Sequence, residues 1–153
     1  MRSVLLGAVA LAFASTASHG AYTVIDGPVE AKVDRVIDGD TLEFTTYPWP
    51  DEQKERVQVR VRDIDTPETR TACQAEKTMG VAARKFVEDL VKQANERARL
   101  TVIGCKPPQD GGFGRCLAHV YVGGVSISKA LLDRGLARPT KDGSDKTPWP
   151  GCE

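Results

Sequence analysis

Polar and apolar residues alternate on two different periods along this chain. Over residues 56–62 the alternation is strict. Val57, Val59 and Val61 fall on one face, and Arg56, Gln58, Arg60 and Arg62 on the other. A period of two belongs to a half-buried β-strand. Residues 31–37 and 41–45 form two more apolar-rich strands. Asp38-Gly39-Asp40 joins them, and an Asp-Gly pair between such runs signals a tight turn. Residues 46–55, with Tyr47, Pro48, Trp49 and Pro50, form a loop, and Thr66-Pro67 ends the strand that follows it. From Gln74 to about Arg97 the period lengthens. Ala75, Met79, Ala82, Ala83, Phe86, Leu90, Val91 and Ala94 recur at three and four residues, as on the inward face of an amphipathic helix. Residues 100–103 and 117–122 are two further strands, followed by a Gly123-Gly124 turn. Ser126 or Ser128 caps a short helix that ends near Arg134, with Gly135 as its stop. From about residue 138 the tail is rich in Pro, Gly, Lys and Asp and is expected to be irregular. Three strands, a long helix, two strands and a short helix predict an α+β fold, a five-stranded β-barrel closed at one end by a helix. The OB fold is the common solution of this kind.

The first 20 residues follow neither period. Arg2 precedes an apolar run over 4–14 and a small, polar stretch over 15–20. A basic start, a short apolar middle and a small-residue end describe a secretory signal peptide, cut after Ala17 or Gly20. A buried N-terminal helix is the alternative. The expected division is a signal peptide, 1–20, and one domain, 21–153, exported to the periplasm or the medium. No run reaches the roughly 20 apolar residues of a membrane span, so no membrane association is expected after cleavage. A hydrophobic share of 41 % excludes wholesale disorder. The formal charge is zero, from 21 Lys+Arg against 21 Asp+Glu, which excludes a polycation but not a local basic site. Four Cys suit an oxidising compartment and permit three pairings. Cys105 and Cys116 flank the Gly-rich loop 107–114 and would face each other across a hairpin. Cys73–Cys152 would then tie the tail to the body. A tetrahedral zinc site is the alternative, weakened by the lack of a C-x-x-C pair.

Three short clusters carry chemistry-bearing residues: Asp38-Gly39-Asp40-Thr41, Arg60 followed by Asp65-Thr66-Pro67-Glu68, and Phe113-Gly114-Arg115. Each alone has an ordinary explanation, as a turn, a helix start or a solubilising Arg on a strand. Their joint occurrence in this order on this strand pattern is harder to dismiss. With Val36-Ile37 ahead of the first cluster and Ala130-Leu131-Leu132-Asp133-Arg134-Gly135-Leu136-Ala137 after the last, the sequence resembles the staphylococcal nuclease (thermonuclease) family over residues 31 to 137. The resemblance implies an OB fold. It also implies calcium-dependent hydrolysis of phosphodiester bonds in DNA and RNA, preferably unpaired strands, by a monomer.

The residue types suit that chemistry. Phosphodiester hydrolysis gathers negative charge on a pentacoordinate phosphorus, which fixed cations stabilise. An Arg fork donates paired hydrogen bonds to phosphate and stays charged. By the resemblance, Arg60 and Arg115 are those catalytic Arg. Asp40 and Asp65 supply carboxylates to Ca2+, and Thr66 supplies its backbone carbonyl, with waters and substrate completing the shell. Glu68 orients or deprotonates the attacking water. Nearby metal and Arg charges are expected to lower its pKa if they move it at all. Asp38 is the turn residue beside the metal. Phe113 is a substrate-stacking position where family members often carry Tyr. Gly112 replaces a frequent Lys, the loop after the short helix lacks the family's Tyr, and the tail stands where relatives often continue into another helix. A Cys73–Cys152 bond is the expected restraint there. Trp49 and Trp149, each beside Pro, are read as loop-packing residues, with base stacking as the alternative. The competing function is a non-catalytic OB module that binds nucleic acid. Such a binder has no use for Glu68 and both Arg at these spacings. One Ca2+ added to two Arg and three carboxylates leaves the site net positive, so zero overall charge is compatible with local attraction of phosphate.

Overall fold

The computed structural model describes residues 23–25, 27–46, 55–106, 114–141 and 146–152. The expected signal peptide, Trp49, Gly112 and Phe113 lie outside the described residues. In chain order the strands are β1 (Thr23–Ile25), β2 (Val29–Asp38), β3 (Thr41–Thr46), β4 (Glu55–Val61), β5 (Ile64–Asp65), β6 (Arg97–Lys106), β7 (Gly114–Val122), β8 (Val125–Ser126) and β9 (Arg138–Pro139). Helix α1 (Gln74–Gln93) lies between β5 and β6, and α2 (Ile127–Asp133) between β8 and β9. Strands β6, β2, β3, β4 and β7 pair in that order, and β7 pairs back onto β6. This closes a five-stranded barrel, the expected OB-type α+β fold. All its pairings are antiparallel except β4 with β7.

The period-two pattern places the core. Val57, Val59 and Val61 of β4 are buried, with Phe44 opposite Val57 and Leu42 opposite Val59. In β2 the buried hydrophobic residues are Val33 and Val36, three apart. A register shift between Val33 and Arg35 admits one extra residue, so both valines face inward. Asp38, two residues beyond Val36, is buried on the same face, as strand alternation requires. Helix α1 adds Ala83, Val87 and Val91 to the same core, and α2 adds Ile127 and Leu131. Of the positions that mark the helical period, Ala82 is exposed and Met79, Phe86 and Leu90 are half-buried. The fully buried stripe runs instead through Gly80, Ala83, Val87 and Val91.

Several elements differ from the sequence pattern for physical reasons. Helix α1 stops at Gln93 rather than near Arg97, because Asn95 (φ 51°) and Glu96 (φ 63°) are left-handed. A right-handed helix cannot contain two such residues in succession. Gly39 sits in the β2–β3 turn without left-handed φ. A Cβ there would lie 2.9 Å from the Ala83 Cβ and 3.0 Å from Thr66 Cγ2, so glycine serves close packing rather than turn chirality. Residues 138–139, expected to be irregular, pair with β5, setting Asp65 opposite Arg138. A two-residue ladder is too short to leave a period. Ser126 caps α2 by accepting the Lys129 N–H, whereas Ser128 donates to the Arg62 carbonyl.

Both cysteine pairs are disulfides, and no thiol remains among the described residues for the alternative zinc site. Cys105–Cys116 is buried and joins cross-strand partners of β6 and β7. Cys73–Cys152 spans 79 residues, linking the residue before α1 to the C-terminal segment. Closing a loop of that size contributes on the order of 4 kcal/mol by chain entropy. No described helix is long and apolar enough to cross a membrane.

Candidate active site

Burial of charge is concentrated at one place. Among the described residues five polar or charged ones are buried, and four of them, Asp38, Asp40, Asp65 and Thr66, converge at the end of the β2–β3 hairpin. Each is there for a backbone reason. Asp38 and Asp40 flank the Gly39 turn, Asp65 ends β5, and Thr66 follows it. Arg60 is the cross-strand partner of Thr41, so its side chain reaches over the turn. Its Nη2 lies 3.2 Å from Asp40 Oδ2 and 2.9 Å from Asp65 Oδ1. Asp40 Oδ2 also accepts the Thr66 N–H at 3.0 Å, and its Oδ1 accepts the Thr41 hydroxyl at 3.0 Å. Asp65 Oδ2 accepts two N–H groups of Arg138, at 3.1 and 2.9 Å. Asp38 Oδ1 takes the N–H and hydroxyl of Thr69, which leaves it bracing the loop.

Glu68 lies on the exposed side of this cluster. Its N–H donates to Glu76 Oε1 (3.2 Å), and Glu76 Oε2 accepts the Thr71 hydroxyl (2.8 Å). Glu76 in the first turn of α1 therefore holds the segment that carries Glu68. Arg60, Asp65, Glu68, Arg138 and Trp149 line one open cavity of about 670 Å³. Arg115 is exposed on β7 and outside that lining. The parallel register sets it beside Gln58, two residues behind Arg60 on the outward face. Phe113, just before β7, lies outside the described residues.

The electrostatics follow from burial and crowding. Burial raises the Asp40 pKa above its ordinary 3.8, against the pull of the Arg60 charge and of hydrogen bonds from Thr66 and Thr41. Glu68 is raised as well, first by partial burial and then by the negative charges of Asp38 and Asp40, with Arg60 opposing. The shift runs against the lowering expected from neighbouring positive charge, because partial burial, with the surrounding carboxylates added to it, outweighs the one nearby guanidinium.

The donor set fits a hard cation with an incomplete protein shell. Asp40 and Asp65 each present a carboxylate oxygen to one shared point, now the Arg60 Nη2. The converging side-chain acceptors are oxygens, as Ca2+ or Mg2+ requires, with neither imidazole nor thiolate among them. No group of three or more His, Cys, Asp or Glu side chains among the described residues forms a full cage. Water and a substrate oxygen would have to complete the coordination. Two buried polar atoms in the cluster, Arg60 Nε and Thr66 Oγ1, have no hydrogen-bond partner among the described residues.

The sequence profile described as "Staphylococcal nuclease homologue" matches residues 58–148, the stretch carrying Arg60, Asp65, Glu68, Arg115 and Arg138. The chain belongs to the staphylococcal nuclease family. It is 36 % identical over 110 residues to the SPbeta prophage-derived endonuclease YokF of Bacillus subtilis, covering 72 % of this chain and 34 % of that protein. It is 34 % identical over 110 residues to endonuclease YncB of the same organism, covering 72 % and 47 %. The thermonuclease of Staphylococcus intermedius is 33 % identical over 148 residues, covering 90 % of this chain and 82 % of the relative. The chain thus spans less than half the length of the two Bacillus relatives.

Within this member of the staphylococcal nuclease family, the geometry adds three residues that sequence reasoning passed over. Arg138 lay in a tail read as irregular. Glu76 at the third helical position carried a legible signal, since an acidic residue there often reaches back to the preceding turn. Gly80 gave none. A Cβ at Gly80 would lie 2.6 Å from the Pro67 carbonyl oxygen and 2.8 Å from Glu68 backbone atoms. The missing side chain is what lets α1 press against the Glu68 segment. Gly80→Ala is therefore expected to lower stability, although Ala favours an isolated helix over Gly by about 1 kcal/mol. Thermal melting checks this, and an unchanged or higher midpoint would show that the segment yields freely.

Proposed function

We propose that the protein is an exported, calcium-dependent nuclease that hydrolyses phosphodiester bonds in DNA and RNA, preferably in unpaired strands, as a monomer. The observation that carries the reading is the convergence of Asp40 and Asp65 on Arg60, which lines one cavity together with Asp65 and Glu68. Membership of the nuclease family and relatives named as endonucleases and a thermonuclease support it. Two disulfides support export, as does the signal-like N-terminal pattern.

In this mechanism Asp40 and Asp65 hold the cation through their carboxylates, with the Thr66 carbonyl as a further ligand. A bound Ca2+ supplies Lewis-acid neutralisation of the phosphate charge. Arg60 donates to a non-bridging phosphate oxygen, using the N–H groups not engaged with Asp65. Arg115 donates from the next position along the outward face. Glu68 accepts a hydrogen bond from the attacking water and so aims its oxygen at phosphorus. Phe113 is the stacking position for a base. Together these groups stabilise charge that is larger in the transition state than in the substrate, which is what accelerates the step.

The test is direct. Purified protein is incubated with single-stranded and double-stranded DNA and with RNA, in Ca2+ and in EGTA. Cleavage that needs Ca2+ and favours unpaired strands is expected. Full activity in EGTA removes the metal from the mechanism, and tight binding of strands without cleavage in any metal establishes a non-catalytic module.

A further inference from the structure

A carboxylate that ligates a metal is only as well aimed as the groups behind it. Asp65 has two such groups, one on each oxygen. Oδ1 faces Arg60 and the Asp40 side of the cluster. Oδ2 points the other way and receives both Nε and Nη2 of Arg138. Two donors on one oxygen fix the carboxylate plane, which otherwise rotates about its Cβ–Cγ bond.

Arg138 is itself held on three sides. Its backbone lies across from Asp65 in the β5–β9 ladder. Its Nη1 donates to the Thr147 carbonyl at 2.7 Å. Its guanidinium lies over the Trp149 ring, 4.2 Å from the centroid. Thr147 and Trp149 belong to the short segment 146–152, which ends in a turn from Cys152 N–H to the Trp149 carbonyl and is tied by Cys152 to Cys73. A chain of contacts thus runs from the disulfide through Trp149 and Arg138 to one oxygen of Asp65.

We infer that Arg138, held by the disulfide-tethered segment 146–152, is a positioning residue that orients the Asp65 carboxylate for the metal. The inference rests on the reading of Asp40 and Asp65 as metal ligands. It assigns the C-terminal segment to the site, where a tail clip alone would only add stability. Arg138 touches neither substrate nor metal in this role. Partners behind a ligand typically govern affinity by 10- to 100-fold when removed. Geometry, not charge, is the proposed cause, so the decisive variant keeps the charge. Arg138→Lys retains one cation but cannot place two N–H groups on Oδ2, donate to Thr147 and lie flat on Trp149 at once.

The experiment is a calcium titration of the oxidised full chain, read by thermal melting and by calorimetry, with a parallel measurement of cleavage at each calcium concentration. For Arg138→Lys the calcium midpoint is expected to rise about tenfold. Cleavage should be largely regained at saturating calcium, a rescue that a purely structural defect would not produce. A midpoint within twofold of the unsubstituted protein, in a variant that melts cooperatively, overturns the inference. If Arg138→Lys does not fold, Trp149→Leu decides by the same criterion, because it removes the support beneath Arg138 and leaves every charge in place. No calcium effect on the unsubstituted protein would instead refute the metal reading itself, and this inference with it.

Discussion

Arg60→Ala is expected to lower the rate of strand cleavage by about 10³-fold or more at saturating calcium, the range found when a fixed cation is removed from a phosphoryl or oxyanion site. The expectation rests on where this one side chain stands. Its Nη2 bridges the two buried carboxylates, and its Nε is buried in the cluster without a partner among the described residues. It is therefore the counter-charge of the site and, in the proposed mechanism, a donor to incoming phosphate. Removing it has a second, separable consequence. Asp40 is 1 % exposed and loses its only charged partner among the described contacts, while Asp65 keeps Arg138. An uncompensated buried carboxylate is costly. The metal-free variant should thus melt below the parent, and calcium should narrow that gap because a bound cation takes over the neutralisation. Calcium should not restore turnover. Single-turnover cleavage of a labelled unpaired oligonucleotide, together with melting in EDTA and in calcium, measures both. Turnover within tenfold of the parent would remove Arg60 from the transition state.

Asp40→Asn is expected to move activity and stability in opposite directions. The substitution removes one of two carboxylates proposed for the metal, so calcium binding and cleavage should fall by orders of magnitude. In EDTA, however, the variant should be more stable than the parent near neutral pH. Burial raises the Asp40 pKa despite Arg60 and two hydrogen bonds, so its ionised form is disfavoured in the fold. The raised value means that the native state holds the proton longer than the unfolded chain. Stability therefore falls as pH rises from the ordinary 3.8 through the raised value, and then stays lowered. Asn lacks that loss. It also fits the existing hydrogen bonds, since its carbonyl can accept the Thr66 N–H while its amide donates to the Thr41 hydroxyl. The stability difference between variant and parent should grow with pH across this window and then level off. A variant less stable than the parent at every pH would mean that the Arg60 pair outweighs desolvation. The same substitution should also ease Glu68, whose pKa is raised in part by the Asp40 charge.

These two expectations explain why the site is legible and the rest of the cavity is not. Asp40, Arg60, Asp65 and Glu68 sit in short motifs whose spacing follows from local structure: a two-residue turn, one strand edge and the segment after a two-residue strand. Their residue types, acids beside an arginine at short spacing, are those that the proposed phosphate and metal chemistry needs. Glu76 carries only the general signal of an acid in a first helical turn, Gly80 acts across a helix–loop contact, and Arg138 acts across 73 residues of chain, so no local pattern ties them to the site. Gly39 is the instructive case between. The Asp-Gly pair located the turn correctly, yet glycine is needed there because Ala83 of α1 lies where a Cβ would be.

The sequence alone determined the faces of β4, both helices, the barrel class, the two cysteine pairs as the favoured arrangement and the family. Each of these depends on periodicity, on turn and cap chemistry or on motif spacing, all written in neighbouring residues. Tertiary structure alone decided the register shift that buries both Val33 and Val36 and the early end of α1 at two left-handed residues. It also set the parallel pairing of β7 with β4 and the placing of Arg138, Trp149 and the Cys73–Cys152 bond along one wall of the cavity. The reason is physical. A period records which face a residue turns toward the core, but which distant carboxylate an arginine meets depends on how strands are registered and where a disulfide anchors the chain. Those are properties of the packed barrel, not of any stretch of it.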